Sequence, residues 1–245
     1  MTLDPVTLVV FALAVALLGL SKGGLSGVGM MAMPLMLFVM PPTAAASVIL
    51  PVLLTQDAFS VWLYRGRWDV GNLKLLLPAA AVGIVVGVLS FAVLPREALL
   101  VLLGVVTLVF ALRGLARRGA AASVAHPATG LLLGALSGFT STVLHHGGPP
   151  FQMYLLPQKL PRDVFVATSV AFFATVNWLK VPGFLALGQL TREVLTIALV
   201  AAPYALAMTL LGARLVRRIA PERFYVLIHL ILVAVSIKLI ADGAL

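Results

Sequence analysis

Two stretches of this chain set a cationic or cationisable side chain beside glycines in the middle of long apolar runs: Ser21-Lys-Gly-Gly-Leu-Ser-Gly-Val-Gly29 and His145-His-Gly-Gly-Pro-Pro150. The chemistry such residues do together is anion binding. Glycine permits a sharp turn and lets a ligand approach the backbone. Unpaired N–H groups and the dipole at a helix start attract negative charge, and a lysine or histidine adds a charge or a donor. The candidate substrate-binding residues are Lys22, Gly23, Gly24 and Ser26 in the first stretch and His145, His146, Gly147, Gly148 and Gln152 in the second. Ser169, on the helix that follows the second stretch, completes the set. Asp57 and Gln56 are candidates for coupling to a proton or sodium ion.

Each reading has a plainer counterpart. Glycine breaks in apolar helices also serve as packing kinks. Lys22 can snorkel, or pair with Asp57, a formal charge that also falls deep in an apolar run. Asp57 and Gln56 can be hydrogen-bonding groups between helices. His145 and His146 are adjacent, so they cannot both face one point on a regular helix.

The elements that must position these residues follow from composition. The chain has 245 residues, of which 62% are hydrophobic and only 10% charged, and its mean hydropathy is +1.13. Soluble domains carry about 25% charged residues, so the composition specifies an integral membrane protein. Apolar runs of about 20 residues between short polar breaks are spanning helices rather than barrel strands. The net charge of +9 is read as membrane orientation, not as nucleic-acid binding. With no cysteine, disulfides, thiolate metal sites and cysteine nucleophiles are excluded. No metal or other cofactor is expected.

The runs fall at 5–20, 25–39, 43–64, 73–94 and 97–114, then, beyond a basic, small-residue stretch from Arg113 to His126 that holds the linker at 119–127, at 128–142, 149–158, 163–185, 193–213 and 221–241. Short, short, long, long, long recurs in each half. Pro34 lies 12 residues after Lys22 and Pro157 lies 12 after His145, while Ser47 and Ser169 each precede a glycine, Gly66 and Gly188, by 19 residues. The expected architecture is therefore an all-α integral membrane protein of two inverted repeats, each a re-entrant helical hairpin plus three transmembrane helices. The first repeat covers 1–118 (hairpin 5–39) and the second covers 128–245 (hairpin 128–158).

Charge supports hairpins over single crossings. If each short pair enters and leaves on one face, Arg65, Arg67, Lys74, Arg113, Arg117, Arg118, Lys159, Arg162, Arg214, Arg217, Arg218 and Arg223 share one side. The other side keeps Arg96, Arg192 and two residues read as helix ends, Lys180 and Lys238. Twelve against four fits the positive-inside rule, and both termini then face away from the cytoplasm. Inverted repeats with broken helices are a transporter architecture, so the two tips are expected to bind one anion near the membrane midplane.

With these motifs in place, the chain resembles the TauE/SafE sulfite exporter family. Gly19-Leu-Ser-Lys-Gly-Gly with Met33-Pro34-Leu and Pro41-Pro42 is similar to its first repeat. His145-His-Gly-Gly-Pro-Pro-Phe-Gln-Met-Tyr-Leu-Leu-Pro-Gln158 with Val166-Ala-Thr-Ser169 is similar to its second. The resemblance implies a transporter of sulfur-containing anions, sulfite or organosulfonates, multi-pass in the bacterial cytoplasmic membrane. The usual glycine-rich Gly-Ile-Gly-Gly-Gly is replaced by Lys-Gly-Gly and His-His-Gly-Gly, which leaves the exact anion open, and the family includes both export and uptake. The expected mechanism is secondary transport by alternating access, since no P-loop pattern is present. The alternatives are a passive anion channel and an intramembrane enzyme using His145 or His146. The latter lacks any His-Glu-x-x-His or Gly-x-Ser-x-Gly pattern, so the chain is not expected to be an enzyme. A homodimer is an open possibility.

Overall fold

The computed structural model describes residues 4–25, 27–90, 93–116, 126–215 and 221–244. They form helices α1 (Pro5–Lys22), α2 (Ala32–Leu37), α3 (Pro42–Tyr64), α4 (Val70–Ser90), α5 (Arg96–Ala116), α6 (Pro127–Leu144), α7 (Gly148–Leu155), α8 (Arg162–Ala186), α9 (Arg192–Leu215) and α10 (Pro221–Ala244), with 3-10 turns at Val28–Met31 and Leu156–Gln158. No strand occurs among the described residues. Seven helices, α1, α3, α4, α5, α6, α8 and α9, are long and apolar enough to cross a membrane.

Helices α1 and α6 are longer than their apolar runs suggest, at 18 residues each, or about 27 Å. Ser21 and Lys22 remain helical, and α1 stops only where the Gly23 N–H bonds the Gly19 carbonyl and Gly24 takes φ +115°. In α6, Val143 and Leu144 extend the helix up to His145, which takes the left-handed conformation (φ 48°). Both helices start alike, with proline in the first turn after a capping side chain, Asp4 or His126. The Asp4 carboxyl is held below its usual range, first by the Thr7 hydroxyl and then by the Thr7 backbone amide.

The return arms are short. Residues 28–37 fold back along α1, and α7 folds back along α6. Ten or eleven residues reach about 15 Å, half of what a span needs.

The chain divides into two compact units. Unit 1 is Met1–Leu73 with Arg162–Arg218, and unit 2 is Lys74–Pro161 with Ile219–Leu245. Each draws on both halves of the chain, so packing units and sequence halves are different divisions. In unit 1, α3 packs on α8 and α9, and α1 packs on α9 at a separation that glycine sets. A Cβ on Gly23 would lie 2.3 Å from the Thr209 carbonyl oxygen, and one on Gly212 would lie 2.6 Å from that of Leu20. In unit 2, α5 packs along α10, and α4 meets α6 just as tightly. A Cβ on Gly83 would lie 1.9 Å from the Ala135 carbonyl oxygen, and one on Gly138 would lie 2.1 Å from that of Ala80. Small residues that let backbones approach are the usual means of helix association in lipid, where apolar burial supplies no driving force.

The helices are apolar on both sides. Ala45, Leu50, Phe172 and Phe184 are buried in unit 1, and Leu76, Leu103, Leu144 and Phe151 in unit 2. Yet Leu89, Leu199 and Val200 are 73%, 75% and 77% exposed. Such surface suits a bilayer and not water.

Candidate functional site

Within unit 1, a charged cluster is buried where α1, α3 and α8 meet. Lys22, the last residue of α1, donates its ammonium to Asp57 Oδ1. Asn177 of α8 donates Nδ2 to Asp57 Oδ2 at 2.5 Å. Lys180, one turn further along α8, is fully buried and interacts electrostatically with both Asp57 and Lys22. Asp57 is fully buried, and the Lys22 side chain is 11% exposed.

Helical spacing explains the convergence. Phe173, Asn177 and Lys180 stand at i, i+4 and i+7 on one face of α8. The Lys22 ammonium lies 5.5 Å from the centre of the Phe173 ring, within cation–π range. On α3, Asp57, Ser60 and Tyr64 share a face by the same rule. Tyr64 donates its hydroxyl to the Gly23 carbonyl at 2.6 Å, so α3 grips two successive residues of the first tip. Next to Asp57, Gln56 donates Nε2 to the Val15 carbonyl of α1 at 3.2 Å, while its Oε1 is buried without a hydrogen-bond partner.

The three ionisable groups carry two positive charges and one negative when all are charged. A charge at the centre of a bilayer costs about 2.5–3.5 kcal/mol or more, and one carboxylate compensates one ammonium. Two amines facing one carboxylate make a set of donors that suits a small anion.

The second tip lies in unit 2. His146 is buried with Nε2 2.8 Å from Thr107 Oγ1. Thr107 donates its own hydroxyl to the Leu103 carbonyl at 2.6 Å, so His146 is the donor in that contact. Ser137 donates to the Gly147 carbonyl at 2.7 Å, and Gly148 opens α7. Gln152, one turn into α7, is buried with Oε1 unpartnered.

Several expected site residues therefore have definite places. Lys22, Asp57 and Gln56 sit together at the α1–α3 contact, and the pairing of Lys22 with Asp57 is the plainer alternative raised by the sequence. His145, His146, Gly147, Gly148 and Gln152 sit together at the start of α7. Ser169 donates to the Phe165 carbonyl of its own helix at 2.7 Å. Ser26 lies outside the described residues. At the first tip the return arm opens with a 3-10 turn capped by Gly27, so the expectation of a helix start directly after the glycines describes only the second tip.

Lys180 requires a correction. It was read as a helix-end residue on the less basic face, yet α8 runs on to Ala186 and buries it completely. Lys180 lies near the end of the apolar run 163–185, which suggests a snorkelling helix end, while Pro182 does not stop α8 because proline is tolerated inside membrane helices. The available signal was Asn177 and Lys180 at i and i+3 in an apolar run.

A chain whose described residues are all helix or loop, with seven spanning-length helices and a buried ion pair, is a multi-pass membrane protein. It belongs to the TauE/SafE family: the family model described as sulfite exporter TauE/SafE matches residues 11–239. No curated protein and no solved structure matches the chain. The family is one of membrane transporters that export sulfite.

Proposed function

We propose that this protein carries a small sulfur-containing anion, sulfite or an organosulfonate, across the bacterial cytoplasmic membrane by alternating access. The observation that carries this reading is the buried Lys22–Asp57–Asn177–Lys180 cluster, in which two amines and an amide lie around one carboxylate. An oxyanion with several acceptor oxygens accepts charge-assisted bonds from both ammonium groups. As Lys22 turns toward the anion, Asp57 loses one of its donors and becomes the group that takes up a proton or sodium ion, which couples the two movements. Within unit 2, the second tip offers His145, Gly147 and Gly148 as a separate set of anion donors. The tight α1–α9 and α4–α6 packings support the inverted-repeat reading, because each joins the first hairpin helix of one half to the second long helix of the other.

The test is counterflow of sulfite and sulfoacetate in proteoliposomes. Saturable flux is expected in the parent protein, with loss in Lys180→Met, Lys22→Ala and His145→Ala. Undiminished flux in Lys180→Met at full expression overturns the site, and flux that never saturates makes the protein a channel.

A further inference from the structure

Helices α3 and α8 pack antiparallel in unit 1, with the charged cluster midway along their contact. Asp57 meets Asn177 at the centre. At one end the Ser47 hydroxyl, in the second turn of α3, meets the Gln189 side-chain amide at 2.6 Å. At the other end the Asp69 N–H donates to the Thr168 hydroxyl of α8 at 2.8 Å, and Arg67 pairs with Asp163 at 3.1 Å. Ser47 lies ten residues from Asp57, and Thr168 nine from Asn177, each about 14–15 Å of helix. The two end contacts are thus separated by about one hydrocarbon thickness.

The two ends are built alike. A left-handed glycine follows each helix, Gly66 at φ +77° after α3 and Gly188 at φ +66° after α8. The residues just beyond each glycine fold onto the first two turns of the other helix. A Cβ on either glycine would meet no described atom within 4 Å, so both turns have room to swing. A hinge needs only a few φ/ψ changes at the end of an element. Among the described residues, the side-chain contacts that hold the turns are slight. One turn has an amide on a hydroxyl; the other has a backbone N–H on a hydroxyl and an ion pair with both side chains largely exposed. Such contacts are individually weak.

The Gly66 end also borders a cavity of about 510 Å³, whose wall includes Arg65, Arg67, Arg162, Asp163 and Tyr64. Tyr64 reaches from that wall to the Gly23 carbonyl at 2.6 Å, and Gly23 directly follows Lys22. Space at this end leads from the turn toward the cluster.

We propose that the Gly66 and Gly188 turns are the two gates of the transporter, one on each side of the Lys22–Asp57–Lys180 cluster, each released by breaking its contact with the start of the opposite helix. This rests on the alternating-access reading above. Release in alternation lets the cluster face one side at a time, and an inverted repeat supplies one such gate from each half. By the positive-inside rule the Gly66 gate, with Arg65 and Arg67, faces the cytoplasm and the Gly188 gate faces the periplasm.

The cysteine-free chain allows a single reporter, Ser60→Cys, at a fully buried position of α3 one turn from Asp57. Its reaction with a membrane-impermeant methanethiosulfonate is followed from each face in oriented vesicles. Ser47→Ala should speed labelling from the periplasmic face about fivefold, the shift that loss of one ordinary hydrogen bond allows, and slow it from the cytoplasmic face. Gln189→Ala should do the same. Thr168→Val should do the reverse, and Thr168→Ser, which keeps the hydroxyl, should behave like the parent. Equal changes from both faces, or none, overturn the gates, as does a reporter that stays unreactive in every background. The same opposition with the faces exchanged keeps the gates and inverts the topology. The labelling needs no sulfite, so the two readings fail separately. Opposed labelling in a protein without sulfite or sulfoacetate counterflow keeps the gates and overturns the substrate, whereas counterflow with indifferent labelling overturns the gates alone.

Discussion

Asp57→Asn and Lys180→Met are expected to act differently on stability within one cluster, and the difference separates structural from functional roles. Asp57 compensates Lys22 directly, so Asp57→Asn strands a buried ammonium. Breaking a buried pair by removing one partner costs about 3–5 kcal/mol, and the thermal midpoint in detergent should fall accordingly. Asp57→Asn combined with Lys22→Met removes both charges, so it should recover much of that loss in a double-mutant cycle. Lys180→Met replaces a completely buried amine with an apolar side chain of similar length, which removes a desolvation cost, and the midpoint is expected to hold or rise. What Lys180→Met should lose is the stabilisation that sulfite confers on the parent, read as the shift in midpoint with added sulfite. A midpoint that drops in Lys180→Met while the sulfite shift persists makes Lys180 a packing residue.

Elements carry the site through contacts that glycine makes possible. Helix α1 can place Lys22 beside Asp57 only because Gly23 lets its end lie against Thr209 and Ala213 of α9. In unit 2, α6 presents His145 from the same kind of close packing, with Gly138 against the Ala80 carbonyl of α4. Gly138→Ala puts a methyl 2.1 Å from that oxygen, where real contacts do not occur. The helices must separate, and overpacking of this kind costs about 1–3 kcal/mol. A lower thermal midpoint is the expected outcome. Gly66 provides the internal control: its Cβ would meet nothing within 4 Å, though its φ of +77° makes alanine there mildly unfavourable. The helices themselves were legible, since the long apolar runs at 43–64, 163–185 and 193–213 differ from α3, α8 and α9 by only a few terminal residues. Less legible was the length of α1 and α6, because Ser21, Lys22 and the polar stretch Ser141-Thr142 look like breaks yet stay helical when neighbouring helices shield them.

At the scale of the whole molecule, orientation is the open quantity, and the cysteine-free sequence makes it directly measurable. A single cysteine added at either terminus should react with a membrane-impermeant maleimide from the periplasmic side of intact cells. A cysteine at Arg67, beside the arginine cavity, should react only after the membrane is opened. The reverse pattern inverts the topology. The membrane class, the helical segments and the two glycine tips were determined by the sequence alone, because apolar run length and helix breakers act over a few turns. Only the tertiary structure decided what the buried charges do. Asp57 and Asn177 are 120 residues apart and Lys22 lies on a third helix, and nothing in the spacing along one helix says which polar group on another will face it. Lys180 shows the limit most clearly. Its position near the end of an apolar run reads locally as a helix end, whereas its full burial beside Asp57 and Lys22 arises because α8 packs that face against α3, and a charge in lipid is tolerated only where partners are packed against it.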